Sequence, residues 1–224
     1  MTFSLVARDA ATGAFGMVVT SSSPAVAARC VHLRPGTGAV ASQNITDPGL
    51  GTKLLDLLES GSNAAEAMAK LLAQEPDTEF RQLSAVGRDG RTAAFSGART
   101  LGTHRTVELD GAVAAGNLLS SPAVVDAIAE AYAAADGEFE DRLLAGLLAG
   151  RDAGGEEGPE HSAGLVVVED VPWAVTDLRV DWADEDPIGQ LAGIWELWRP
   201  QKADYKLRAV QPALAPSYGV PGDL

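Results

Sequence analysis

Thr2-Phe-Ser-Leu-Val-Ala-Arg-Asp-Ala-Ala-Thr-Gly-Ala-Phe-Gly-Met-Val-Val-Thr20 is the stretch that decides the reading of this chain. Phe3 to Ala7 is short and apolar with Ser4 inside it, which predicts a strand. Asp9-Ala-Ala-Thr-Gly13 is a turn, opened by an Asp and closed by a Gly that accepts positive φ. Phe15 to Thr20 is a second strand. A hairpin therefore begins at residue 2.

Working outward, Ser21-Ser22-Ser23-Pro24 ends the second strand, and Ala25 to Cys30 suits either a strand or a short helix. Pro35 to Gly38 is a loop and Ala39 to Gln43 a short strand. Asp47-Pro48 pairs an N-cap with a proline at the first helical position. Leu50, Leu54, Leu57 and Leu58 follow at helical spacing, and Gly61 stops the helix. Ser62 caps a second helix that Pro76 closes. Gln82 to Val86 and Arg91 to Phe95 flank Asp89-Gly90, a hairpin tip. Thr106 to Ala114 is one further strand region, followed by Gly116-Asn117. Helices are predicted from Ser121-Pro122 to about Ala135 and from Phe139 to Ala149. Gly154 to Pro159 is a flexible loop. Strands at Ala163 to Glu169 and Ala174 to Val180 precede a last helix, Pro187 to Trp198.

Paired helices thus lie between paired strands. A doubly wound parallel sheet needs strand and helix to alternate singly. The order suits an α+β fold of two antiparallel sheets face to face, with helices on each outer side. Residues 1–200 form the domain, and residues 201–224 are expected to be a Pro-rich tail.

The chain has 224 residues, 46% of them hydrophobic, enough for one domain with a sizeable core. Its 31 acidic against 17 basic residues give a net charge of −14, which repels nucleic acid and anionic membrane surfaces. Cys30 is the sole cysteine, so no intrachain disulfide forms. No signal peptide and no apolar run of about 18 residues is visible, so a cytoplasmic location away from membranes is expected. His32, His104 and His161 have no i, i+4 pairing, and no metal or other cofactor is expected. The G-x-G-x-x-G, P-loop and G-x-S-x-G motifs are absent.

Seven motifs carry a resemblance. They are Thr2 to Asp9 with Thr12-Gly13; Gly36 to Gln43; Ala94-Phe-Ser-Gly97; Gly116-Asn-Leu-Leu119; Ser162-Ala163; Asp177 to Asp181; and Asp186-Pro187. In this order the chain resembles the bacterial and archaeal domain of unknown function family 1028, grouped with the Ntn hydrolases. The resemblance spans about residues 2 to 198 and implies a four-layer αββα sandwich. It implies no settled reaction. The family's basic residue and Gln before Ser162 are replaced by Glu160-His161, and Trp182-Ala183 stand where the family has a His-containing turn.

Ntn hydrolases use an N-terminal Thr, Ser or Cys whose own α-amine is the general base. The resemblance therefore makes Thr2, exposed by loss of Met1, the candidate nucleophile. An α-amine titrates close to neutrality, which suits that task. Ser4 shares its side of the strand and could support or replace it. Asn117 is the candidate oxyanion donor, because amide N–H groups suit that role. Arg8, Ser22, Gln43, Asn44 and His161 are candidate substrate-binding residues. Arg29, His32 and Arg34 stand in the region where proteasome-like enzymes carry a Lys, and the absence of a Lys there counts against a proteasome-type proton relay. The expectation is an amidohydrolase acting on a small amide or peptide-like compound. The alternative is a non-catalytic small-molecule-binding protein on a degenerate scaffold, with Arg8, Gln43 and Asn117 lining its pocket. Aromatic residues and the tail suggest a homo-oligomer, a dimer.

Overall fold

In the computed structural model, which describes residues 1–220 and 222, the predicted hairpin forms. Strand β1 (Thr2–Arg8) pairs antiparallel with β2 (Phe15–Ser21), Phe3 opposite Thr20 and Arg8 opposite Phe15. Asp9 holds the turn: its carboxylate accepts from Thr12 N at 3.1 Å and Thr12 Oγ1 at 2.6 Å. Arg142 donates to its other oxygen at 2.6 Å. Burial pushes the Asp9 carboxyl up, and the Thr12 and Arg142 contacts outweigh it, leaving it below its ordinary value.

The chain continues through α1 (Ala27–Cys30), β3 (Val31–Arg34), β4 (Gly38–Asn44), α2 (Pro48–Glu59) and α3 (Ala64–Gln74). Then come β5 (Arg81–Gly87), β6 (Thr92–Ser96), β7 (Arg105–Leu109) and β8 (Ala112–Asn117). The last elements are α4 (Ala123–Ala134), α5 (Phe139–Asp152), β9 (Ser162–Val168), β10 (Ala174–Val180), α6 (Pro187–Trp198) and α7 (Lys202–Val210). One sheet has the order β10-β9-β2-β1-β8-β7 and the other β3-β4-β5-β6, and the ladders are antiparallel.

Three apolar layers join them. Leu50, Leu54 and Leu58 of α2 and Met68 and Leu71 of α3 pack on Val40, Leu83 and Ala85 of the four-stranded sheet. Helices α4, α5 and α6 cover the outer face of the six-stranded sheet, with Ile128, Leu143 and Trp195 among the buried side chains. Val6, Phe15, Met17, Ala41, Val86 and Val113 fill the space between the sheets. This is the four-layer αββα sandwich. Strand β1 is central and buried on both faces: Phe3, Leu5 and Ala7 enter the helix-covered layer, and Val6 points between the sheets. Full burial of Phe3 and Leu5 stabilises by about 2–3 kcal/mol each.

The helix starts follow their caps. Asp47 accepts from Gly49 N at 2.9 Å with Pro48 behind it. The second helix is capped by Asn63, one residue later than the expected Ser62, because Asn63 and Glu66 form a reciprocal capping box.

Three expectations need correction. Strand β3 was not foreseen: Val31-His-Leu-Arg34 alternates apolar and polar residues, but four half-buried residues are too short a run to establish a period. The single strand expected over 106–114 is a hairpin, β7 and β8, turned at Asp110-Gly111 with Gly111 at φ 71°. The chain beyond Pro200 is a helix before it becomes irregular. Lys202 donates to the buried Glu140 at 2.9 Å, Lys206 reaches Glu169 at 2.6 Å and Asp170 at 2.5 Å, and Tyr205 packs on Trp198. Among the described residues no helix is long and apolar enough to cross a membrane.

Helix α5 crosses β2 where Gly16 removes a side chain. A Cβ there would lie 2.6 Å from Leu143 Cδ1 and 2.8 Å from Phe139 Cε1. Gly16→Ala is expected to destabilise the fold by about 1–3 kcal/mol through overpacking, measured by urea unfolding.

Candidate functional site

The layer between the sheets changes character along its length. Near the β1–β2 turn it is apolar. At the end where β1 begins it is lined by Thr2, Ser4, Gln43, Gln82 and Asn117, all buried. Strand alternation produces this. Thr2 and Ser4 share Val6's face of β1, Gln43 shares Ala41's face of β4, and Gln82 shares Val86's face of β5.

The amides form a chain whose sense is set by one backbone group. Gln82 Nε2 lies 3.0 Å from Gly116 O, an atom that only accepts, so nitrogen must face it. Gln82 Oε1 then accepts from Gln43 Nε2 at 2.8 Å and Asn117 Nδ2 at 3.0 Å. Gln43 Oε1 in turn accepts from Ser4 Oγ at 2.8 Å. Ser4 Oγ thus gives its hydrogen to the network. Asn117 keeps one Nδ2 hydrogen, and its Oδ1 is buried without a partner.

Thr2 and Asn117 are direct partners in the β1–β8 ladder. Opposed residues in such a pair have Cα atoms about 5 Å apart and side chains on the same face. Asn117 lies in extended strand, and the left-handed residue after it is Leu118, at φ 52°. Thr2 Oγ1 donates to the Met1 carbonyl. Ser21 Oγ donates to the same oxygen at 2.5 Å and lies 2.9 Å from Ser23 Oγ. Arg29 donates to Ser23 Oγ at 2.7 Å. A guanidinium therefore stands two hydroxyls from the start of β1.

A loop closes this end. Ser120 N bonds Gly155 O at 3.1 Å and Glu157 N bonds Leu118 O at 3.0 Å, tying residues 155–157 to the exit of β8. Ser22 N donates to Glu156 Oε2 at 3.1 Å, tying the same loop to the exit of β2. Between them lies Met1, whose Cε is 3.1 Å from where a Cβ on Gly158 would sit. The segment expected to be a flexible loop is thus fastened at both sides and carries a carboxylate only 5% exposed. Burial pushes the Glu156 carboxyl up to about 8; the Met1 ammonium opposes this and Glu160 adds to it. Glu156 Oε1 has no hydrogen-bond partner.

The other predicted residues lie apart. Arg8 ends β1 at the opposite edge, six residues or about 20 Å from Thr2, so it cannot line the same pocket. Asn44 is occupied in structure: its Nδ2 donates to Phe80 O and its Oδ1 accepts from Leu101 N at 3.2 Å. Ser22 contributes its backbone N–H. His161 Nδ1 is 2.8 Å from Ala183 O and must donate to it, and its ring stacks on Trp182 at 4.3 Å. His32 lies against Gly51 on the opposite side of the four-stranded sheet, its basicity lowered by burial. Among the described residues no three His, Cys, Asp or Glu side chains gather as a metal site. Gln82 and Glu156 escaped the sequence reading. Gln82 had a weak signal, a polar residue in phase with Val86; Glu156 sat in a Gly-Gly-Glu-Glu-Gly run with none.

An αββα sandwich with a threonine at the head of a central strand, amides beside it and a loop closed over it defines the class. The chain belongs to DUF1028, a family of unknown function, which matches residues 2–191. Protein SPO2555 from Silicibacter pomeroyi, a structure of that family, is 30% identical, with a TM-score of 0.84 over 91% of this chain and 92% of that one. Anbu, an ancestral beta-subunit from Yersinia bercovieri, is 10% identical with a TM-score of 0.41, covering 96% and 98% of the two chains. Anbu from Hyphomicrobium sp. strain MC1 is 12% identical with a TM-score of 0.38, covering 93% and 99%. At that level the two Anbu structures inform neither site nor substrate. No curated protein matches the chain.

Two expectations follow. Gln82→Leu strands Gly116 O and the amides of Gln43 and Asn117, and is expected to cost about 3 kcal/mol or more in chemical denaturation, against about 1 for Ser4→Ala. Glu156 has a folded-state pKa above its unfolded one. Its contribution is therefore full at acid pH and is lost as pH rises toward about 8. Glu156→Gln is expected to melt above the wild type at about pH 9, with the gap closing toward about pH 5.

Proposed function

We propose that this protein is an amidohydrolase with Thr2 as its N-terminal nucleophile, acting on a small amide or peptide-like compound. The observation that carries it is the Thr2 hydroxyl, held on the inner face at the first position of the central strand. Ser21 Oγ and Asn117 flank it. Loss of Met1 frees the Thr2 amine at the place where two hydroxyls already converge.

The chemistry then uses groups of this chain. The amine takes the Oγ1 proton as Oγ1 bonds to the substrate carbonyl carbon. The oxyanion receives N–H donors, the remaining Nδ2 hydrogen of Asn117 among them. The C–N bond breaks, the leaving amine collects the proton, and a threonyl ester remains. Water, deprotonated by the same amine, cleaves the ester to a carboxylic acid and restores Thr2. Ser21, released from the Met1 carbonyl, holds the amine in place. Arg29, reaching Ser23, supplies positive charge where proteasome-like enzymes use Lys.

A second reading is a binding protein that keeps Met1. The Met1 carbonyl favours it, because it is already satisfied by two hydroxyls. Intact mass of the purified protein separates the two. A mass lacking methionine, with amide hydrolysis that falls at least about 10³-fold in Thr2→Ala, is expected. A mass with Met1 retained in full, or hydrolysis untouched by Thr2→Ala, overturns the nucleophile.

A further inference from the structure

Met1 occupies the space in front of Thr2 in a defined way. Its carbonyl oxygen takes two hydroxyl hydrogens, from Ser21 Oγ at 2.5 Å and from Thr2 Oγ1. Its thioether end lies against Gly158, where the loop has no side chain. Its ammonium opposes the upward shift of the Glu156 carboxyl. The nitrogen and Oγ1 of Thr2 belong to one residue, so an acyl group carried on Oγ1 sits less than a residue away from the methionyl group. The methionyl residue therefore marks where the acyl half of a substrate lies.

Glu156 is the unused group in that space. It is 5% exposed, one oxygen is held by Ser22 N at 3.1 Å, and the other has no partner. The charges that act on it are the Met1 ammonium and Glu160, and Glu160 Oε1 is already taken by Glu156 N at 3.0 Å. Loss of Met1 takes its ammonium away, leaves the chain's amine on Thr2, and leaves Glu156 Oε1 buried without a partner. Burial makes this carboxyl costly to ionise alone, and a cation bound beside it offsets that cost.

We propose that the substrate's acyl half carries a free α-ammonium and that Glu156 binds it, so that the substrates are amides of α-amino acids. This rests on the N-terminal-threonine reading. Glu156 selects the ammonium, Ser21 and Asn117 meet the carbonyl, and Gly158 leaves room for a side chain of methionine's size.

The test uses the full chain produced with Thr2 as its first residue from a ubiquitin fusion. Binding of L-methioninamide and of N-acetyl-L-methioninamide is measured by calorimetry, with ammonia release followed in parallel. The free amine is expected to bind at least about tenfold more tightly, and Glu156→Gln to bring the two within about twofold. Equal affinities in the wild type, discrimination that survives Glu156→Gln, or no binding of methioninamide overturns the proposal. The wild-type comparison needs no variant to fold. Discriminating binding without ammonia release overturns the amidohydrolase reading alone. Ammonia release from both amides alike overturns the ammonium site alone.

Discussion

The contact on which the site depends is the hydrogen bond from Gln82 to the carbonyl of Gly116. It runs from one sheet to the other through a layer that excludes water. Because a carbonyl only accepts, it decides which end of the Gln82 amide faces which sheet, and each later link follows from that choice. Gln43 and Asn117 become donors to Gln82, Ser4 becomes a donor to Gln43, and Asn117 Oδ1 is left over. In a low-dielectric layer such a chain strengthens when complete and is costly when broken. Rotating the Gln82 amide by half a turn would set oxygen against the Gly116 carbonyl and N–H against the N–H donors of Gln43 and Asn117.

Apolar side chains in those positions would add more burial energy than the amides do. What the amides add is register. A slip of β1 by one residue would turn Thr2 and Ser4 into the layer packed by Ile128 and Leu143, and Phe3 into the amides. Both outcomes bury polar atoms without partners, which makes the slipped state much poorer than the native one. The same device places Thr2 opposite Asn117 and keeps its hydroxyl inside the sandwich. Fold specificity and placement of the candidate nucleophile thus share one cause.

The architecture is largely legible in the sequence because it rests on local signals: the Asp9–Gly13 turn, Asp47-Pro48, the Asp89-Gly90 tip and the leucine spacing of α2. Strand β3 and the β7–β8 hairpin are not, since short half-buried strands carry little period and Asp110-Gly111 sits inside an apolar run. Helix α7 is masked by the prolines around it and held by ion pairs to Glu140, Glu169 and Asp170, contacts far away in sequence. The site divides the same way. Thr2 and Asn117 come from motifs at strand ends, and the ladder sets them side by side. Arg8 fails because a strand separates its ends by its length. Gln82 and Glu156 depend on packing between elements that lie far apart along the chain, and no local pattern encodes that.

Native interiors leave few buried polar atoms unsatisfied, and those that remain need a reason. Here Asn117 Oδ1 and Glu156 Oε1 lie at the same end of the sandwich, linked by the loop that joins β8 to β2 across Met1. Both atoms are acceptors. Leu118, between the two elements, holds a left-handed backbone that a branched aliphatic residue adopts only at a cost. Strain and unmet acceptors concentrated beside a threonine hydroxyl are expected of a place kept ready for donors that arrive from outside. A core built for stability alone would have filled these positions with carbon. The donors that would satisfy both atoms at once are an amine at the head of β1 and an ammonium beside the loop. In the proposed mechanism one would come from the chain once Met1 is removed, and the other from the substrate.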